Sequence, residues 1–116
     1  MAESNDYYKR VIISDISPSD SKVQIIGVLT EKIDDLHWEL NDTTGELIVE
    51  FNNNDALLDK VRKNMTIKVL GILDWDNEDG GGGGLKLKAK ISSDYSEFDL
   101  DSYIKAYMLQ KQMNLL

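Results

Sequence analysis

Apolar and polar residues alternate with a period of two in five stretches of this chain, and recur at helical spacing in two more. The clearest alternation is Leu85 to Ile91. Leu85, Leu87, Ala89 and Ile91 fall on one side of a predicted strand, and Lys86, Lys88 and Lys90 on the other. Leu36 to Leu40 reads the same way, with Leu36, Trp38 and Leu40 facing a core and His37 and Glu39 facing out. Asn41-Asp42-Thr43-Thr44-Gly45 is a turn, so Glu46 to Phe51 pairs back as a hairpin. In that strand Leu47, Val49 and Phe51 point inward, and Ile48 and Glu50 outward. Lys22 to Thr30 and Thr66 to Leu73 complete the set. Each carries an internal glycine, Gly27 or Gly71, and Gly27 predicts a bulge or a sharp bend where the strand curls around a barrel. Before them, Arg10 to Ile16 is a short extended segment stopped by Ser17-Pro18-Ser19-Asp20.

The first helical pattern covers Asn54 to Asn64. Asn54 or Asp55 is suited to the N-terminal cap, and Leu57, Leu58, Val61 and Met65 form a stripe. Lys60, Arg62 and Lys63 crowd the last turn, where cations complement the helix dipole. The second pattern ends the sequence, with Asp99 or Asp101 as cap. Leu100, Tyr103, Ile104, Tyr107 and Met108 make one broad apolar face, and Leu109, Met113 and Leu116 fall on nearly the opposite side. A helix apolar on two sides is expected to bury both. One side covers the end of its own domain and the other meets a partner helix, so all of these residues are the predicted association surface.

The order is strand, hairpin of two strands, helix, strand, loop, strand. That is the order of a five-stranded, partly open Greek-key barrel, the OB-fold. The expected fold class is therefore all-β with flanking helices. A helix lies between the third and fourth strands, and an amphipathic helix follows the fifth. The expected organisation is a flexible N-terminus over 1–9, a barrel domain over 10–94 and an interaction helix over 95–116.

With 116 residues and a 41% apolar fraction, one domain with a single core is the default. The absence of cysteine excludes disulfides, thiolate metal sites and thiol catalysis. No apolar run is long enough to span a membrane, and residues 1–6 are too polar and acidic for a signal peptide, so the expected location is intracellular, in the cytoplasm, nucleoid or nucleus. Net charge is −8, which opposes polyphosphate binding unless the cations gather on one face.

Catalysis finds little support. His37 is the sole histidine and has no motif-level partner, so neither a nucleophile nor a general base is assigned. Asp74, Asp76 and Glu78 alternate as in a calcium loop, but Asp79 stands where glycine is required and Leu85 where the last carboxylate is required. No metal and no cofactor is expected. Trp75 has two readings, a ring that stacks on a base in the loop over a ligand and a ring that closes one barrel end. The run Gly80 to Gly84 makes that loop mobile, or replaces a longer one. Lys86, Lys88 and Lys90, joined by Lys68, form the best cationic row; they also read as a strand edge charged against aggregation. His37 and Ile48 lie on the outer face of the hairpin, the usual ligand side.

The segments KVQIIGVLTE, WELNDTTGELIVEF and VRKNMTIKVLGIL resemble the OB domain of the middle subunit of replication protein A and its archaeal and telomere-capping relatives. The opening RVIISDISPSDSKVQIIG is similar to archaeal members, and the turn Asn41 to Gly45 is a variant of their Asp-Gly-Thr-Gly. The likeness runs over about residues 10–112. It implies a non-catalytic component of a complex that binds single-stranded DNA, weakly when alone. Trp75, Lys86, Lys88, Lys90, His37 and Ile48 would then meet the strand, and the C-terminal helix would meet a larger OB-fold subunit or a second copy. The alternative is an OB-fold scaffold that binds only protein.

Overall fold

In the computed structural model, residues 7–76 and 84–113 are described. The strands are β1 (Lys9–Arg10), β2 (Lys22–Lys32), β3 (His37–Asn41), β4 (Glu46–Glu50), β5 (Thr66–Asp76) and β6 (Gly84–Asp94), followed by one helix, α1 (Leu100–Gln112).

The barrel closes around β2. Its first part, Lys22 to Val28, pairs antiparallel with β5, and its second, Val28 to Lys32, pairs antiparallel with β3. One strand can serve two neighbours only by changing direction. Gly27 allows it, because a Cβ there would stand 3.0 Å from the Asn41 carbonyl oxygen of the crossing strand. The register slips between Leu29 and Glu31 rather than at the glycine itself. From β3 the sheet continues through β4, then β6 in parallel with β4, then β5, and returns to β2. This is the OB-fold topology. The short β1 adds a parallel edge beside Val23 and Gln24.

Period-two alternation delivers the core as expected. Val23, Ile25, Leu29, Leu40, Val49, Ile67, Val69 and Leu87 are fully enclosed, and Trp38 and Phe51 fill the space between them. At ~1.5–3 kcal/mol for each large side chain buried, this interior is the dominant stabilising term.

Three local expectations change. The segment 54–64 is not an α-helix; it holds a single 3-10 turn, Leu58–Lys60, between bends. Asn52 and Asp55 accept hydrogen bonds from the backbone of Asn54 and Leu57 at 2.8 Å each, so these short polar side chains take amides a helix would need. The segment still delivers Leu57 and Met65 to the core, and Asn64 ends it at positive φ (72°). Arg10 to Ile16 is extended only as far as Arg10 and then tightens into a 3-10 turn at Ile13–Asp15. The last two barrel strands outrun their predicted ends, so Asp74 to Asp76 belong to β5 and not to a loop. Residues 77–83, which include most of the glycine run, lie outside the described residues, as do 1–6 and Leu116.

β6 also departs from simple alternation. The pairing of Leu70 with Ile91 is followed by Gly71 with Ala89, leaving Lys90 as an extra residue in the strand. This bulge reverses the phase, and Ile91 is 56% exposed instead of inward. Gly71 accommodates it, because a Cβ there would meet the Lys88 carbonyl oxygen at 2.5 Å.

α1 packs onto the segment after β1. Ile104 and Tyr107 are buried against Ile12, with Leu100 and Tyr103 beside them. Asp99 caps the helix, accepting from the Ser102 amide at 3.1 Å. At the other end Asp15 accepts from Lys111 Nζ at 2.6 Å and from the Tyr107 hydroxyl at 3.3 Å. The clasp continues inward through Asp42, which is 1% exposed. Its carboxylate accepts from the Ile13 amide (2.8 Å) and from the Thr44 amide (2.9 Å) and hydroxyl (2.6 Å), tying the β3–β4 turn to the segment that seats the helix.

Candidate nucleic-acid interface

The outward residues of β3, β4, β6 and β5 line up across one face of the barrel. Register places Glu39 beside Ile48, Ile48 beside Lys86, and Lys86 beside Asp74. The next row runs His37, Glu50, Lys88 and Ile72. Four of the residues predicted to meet a strand, His37, Ile48, Lys86 and Lys88, are therefore neighbours.

Their charges are already matched. Asp34 accepts from the amides of Leu36 (3.0 Å) and His37 (2.9 Å) and from His37 Nδ1 at 2.7 Å. The imidazole hydrogen bond is the largest of the effects that hold the Asp34 carboxyl below the usual carboxylate range, followed by the Leu36 amide. The other ring nitrogen, His37 Nε2, lies 3.4 Å from Glu50 Oε1, which also receives Lys86 Nζ at 3.4 Å. Lys88 Nζ stands 3.6 Å from Asp74 Oδ2. Glu39 accepts from the Thr30 hydroxyl at 3.0 Å. Ile48 is half-buried among these groups. A phosphate approaching this face must replace a carboxylate that each lysine already holds, so the net gain is small.

Two predicted members sit apart. Lys90 occupies the bulge and is exposed, out of line with Lys86 and Lys88. Trp75 lies on β5 opposite Leu85, in the same phase as the inward residues Val69 and Leu73 but beyond the enclosed part of the barrel, where it is 40% exposed. It stands at the rim in a strand rather than in a loop. Lys68 leaves the row altogether, its ammonium 5.1 Å from the centroid of the Tyr95 ring.

Of the predicted association surface, Leu100, Tyr103, Ile104 and Tyr107 pack on the chain's own barrel, while Met108, Leu109 and Met113 are exposed. Met108 thus belongs with Leu109 and Met113, not with the inner side. Among the described residues no cluster of three potential metal ligands exists, and no helix is long and apolar enough to cross a membrane.

Sequence reasoning missed the structural parts of Asp42 and Asp15. Asp42 had a readable signal, an Asx residue at the head of a turn ending in glycine. Asp15 had none, because its partners lie more than ninety positions away.

No protein-family model matches the chain, and no curated protein matches its sequence. Solved structures do match its shape. The telomere capping protein Ten1 from S. pombe is similar over 91% of this chain and 99% of its own, at 13% identity and a TM-score of 0.63. A chain of the S. pombe Stn1–Ten1 complex is similar over 92% and 94%, at 12% identity and a TM-score of 0.62. The hypothetical protein ygiW from E. coli is similar over 78% and 91%, at 18% identity and a TM-score of 0.58. At these identities the likeness is one of fold.

Proposed function

We propose that this chain is a non-catalytic OB-fold subunit of an intracellular assembly that binds single-stranded DNA, joined to a larger OB-fold subunit through α1. The carrying observation is the division of α1, which spends Ile104 and Tyr107 on its own barrel and keeps Met108, Leu109 and Met113 outside. Support comes also from the sequence resemblance to the replication protein A middle subunit, and from a shape shared with a telomere capping protein and with a chain of a two-protein capping complex. In this reading His37, Ile48, Lys86 and Lys88 meet the strand, Lys90 adds a phosphate contact, and Trp75 stacks on a base from the rim. The compensated charges make the subunit a weak binder alone, which suits a chain of net charge −8.

The pairing of Lys86 with Glu50 and Lys88 with Asp74 favours a second reading, a scaffold that binds only protein. Titration of labelled oligo-dT separates the two. The DNA reading expects binding at low salt whose logarithm falls against log salt with a slope of about −2, for three lysines. Trp75→Ala should weaken it about five- to hundredfold, the worth of one stacked base. Absence of binding at low salt supports the scaffold.

A further inference from the structure

Away from the lysine row, a groove of about 540 Å³ runs where β1 meets α1, walled by Tyr7, Tyr8, Lys9, Arg10, Gln24 and Tyr107. A hollow of about 120 Å³ shares Arg10 and Tyr107 with it and reaches Tyr103. The groove's floor is the aromatic and basic run Tyr7-Tyr8-Lys9-Arg10, whose backbone forms the β1 edge and whose side chains the reading above does not use.

Charge here is arranged unlike that of the sheet face. Lys22 Nζ lies 5.7 Å from the centroid of the Tyr8 ring. Lys9 holds Asp20 at 3.1 Å, and Asp15 is already matched by Lys111 at 2.6 Å. The Arg10 side chain is exposed and has no hydrogen bond or ion pair among the described residues. Tyr7 is 71% exposed, so its ring adds little to folding. The Tyr103 hydroxyl is buried with no hydrogen-bond partner among the described residues. Burial pushes its pKa up, and Arg10 lines the same small hollow as the Tyr103 ring.

An exposed guanidinium with no acidic partner among the described residues suits an anionic oxygen, because hydrogen bonds between ionised groups are stronger than neutral ones. An exposed ring a few residues away asks for a planar group. A phosphate and its base supply both.

We propose that this groove is a second contact for the single strand, with a backbone phosphate on Arg10 and a base on Tyr7. The inference rests on the DNA reading above and extends the strand's path from the barrel face to the helix. An acidic peptide would satisfy Arg10 but would leave Tyr7 without a stacking partner.

The test uses the full chain with oligo-dT carrying a photoreactive iodouracil, and maps cross-links by peptide mass spectrometry. Cross-links at Tyr7 or Tyr8, in addition to Trp75, are the expected result. Tyr7→Ala and Arg10→Gln should each weaken oligo-dT binding roughly five- to tenfold, and Arg10→Gln should flatten the salt slope by about 0.7, one phosphate's share. Both residues are exposed, and circular dichroism confirms that α1 is retained. Cross-links confined to Trp75, with Arg10→Gln binding unchanged, overturn the groove and leave the DNA reading standing. Binding of an oligo-glutamate peptide that Arg10→Gln abolishes, without oligo-dT cross-links in the groove, overturns it in favour of a protein ligand. No oligo-dT binding by the unaltered chain overturns both.

Discussion

The sheet face formed by β3, β4 and β6 and the outer side of α1 are both left uncovered by the described residues, yet they are built on opposite chemistry. On the sheet face, Lys86 and Lys88 each hold a carboxylate, and His37 lies between the one held by Lys86, Glu50, and a third, Asp34. On α1, Met108, Leu109 and Met113 are exposed among the described residues. A face whose charges are matched locally is stable without a ligand, and a ligand gains only what exchange allows. An apolar face gains from any partner that removes it from water. Under the proposed function, association falls to the helix and a modest, salt-sensitive contact to the sheet.

The strongest test of the helix is its inner side. Ile104→Ala should destabilise the chain by about 2–4 kcal/mol, read as a shift of the denaturation midpoint, because it empties the contact with Ile12. An unchanged midpoint would mean α1 does not seat as described. The outer side should respond in the other currency. Leu109→Asp with Met113→Asp should leave the midpoint within about 0.5 kcal/mol, as exposed substitutions do. The same pair should weaken association about tenfold or more in sedimentation experiments, as loss of a central apolar anchor does. Association that survives the pair removes the outer side from the account.

On the sheet face, Glu50→Gln releases Lys86 and removes a carboxylate from His37. Oligo-dT binding should then tighten by about threefold to tenfold and its salt slope steepen by about 0.7. Weaker binding would show that Glu50 positions the lysine rather than occupying it. The smallest effect concerns alkali. Burial raises the pKa of the Tyr103 and Tyr107 hydroxyls, so the folded state favours their neutral forms. That contribution is complete below the ordinary tyrosine value of about 10 and is lost as pH rises through the higher folded values. Near-ultraviolet dichroism should report loosening of α1 above that point, and Tyr103→Phe with Tyr107→Phe should abolish the loosening.

The barrel was legible because one side of each strand faces a closed interior. Trp38, Leu40, Leu47 and Val49 therefore declare their side by alternation alone. Periodicity failed where short-range hydrogen bonding or strand geometry overrides it. Asn52 and Asp55 take the amides of the expected helix. The bulge at Lys90 turns Ile91 outward, and the strands carry past Asp74, which moves Trp75 from loop to rim. The candidate site was legible as a row but not as a balance. The partners of Lys86 and Lys88 lie on other strands, and only register shows that each ammonium meets an acid. The clasp of Asp15 and Asp42 depends on contacts across the whole chain, which no local pattern encodes.

The central claim is that this barrel presents His37, Ile48, Lys86, Lys88 and Trp75 to a single strand of DNA. Amide and indole chemical-shift mapping of the labelled chain with oligo-dT at low salt tests it directly. The account predicts shifts at the Trp75 indole and at the amides of β3, β4 and β6, fading as salt is raised. Resonances of those strands that stay in place at saturating oligo-dT would contradict it.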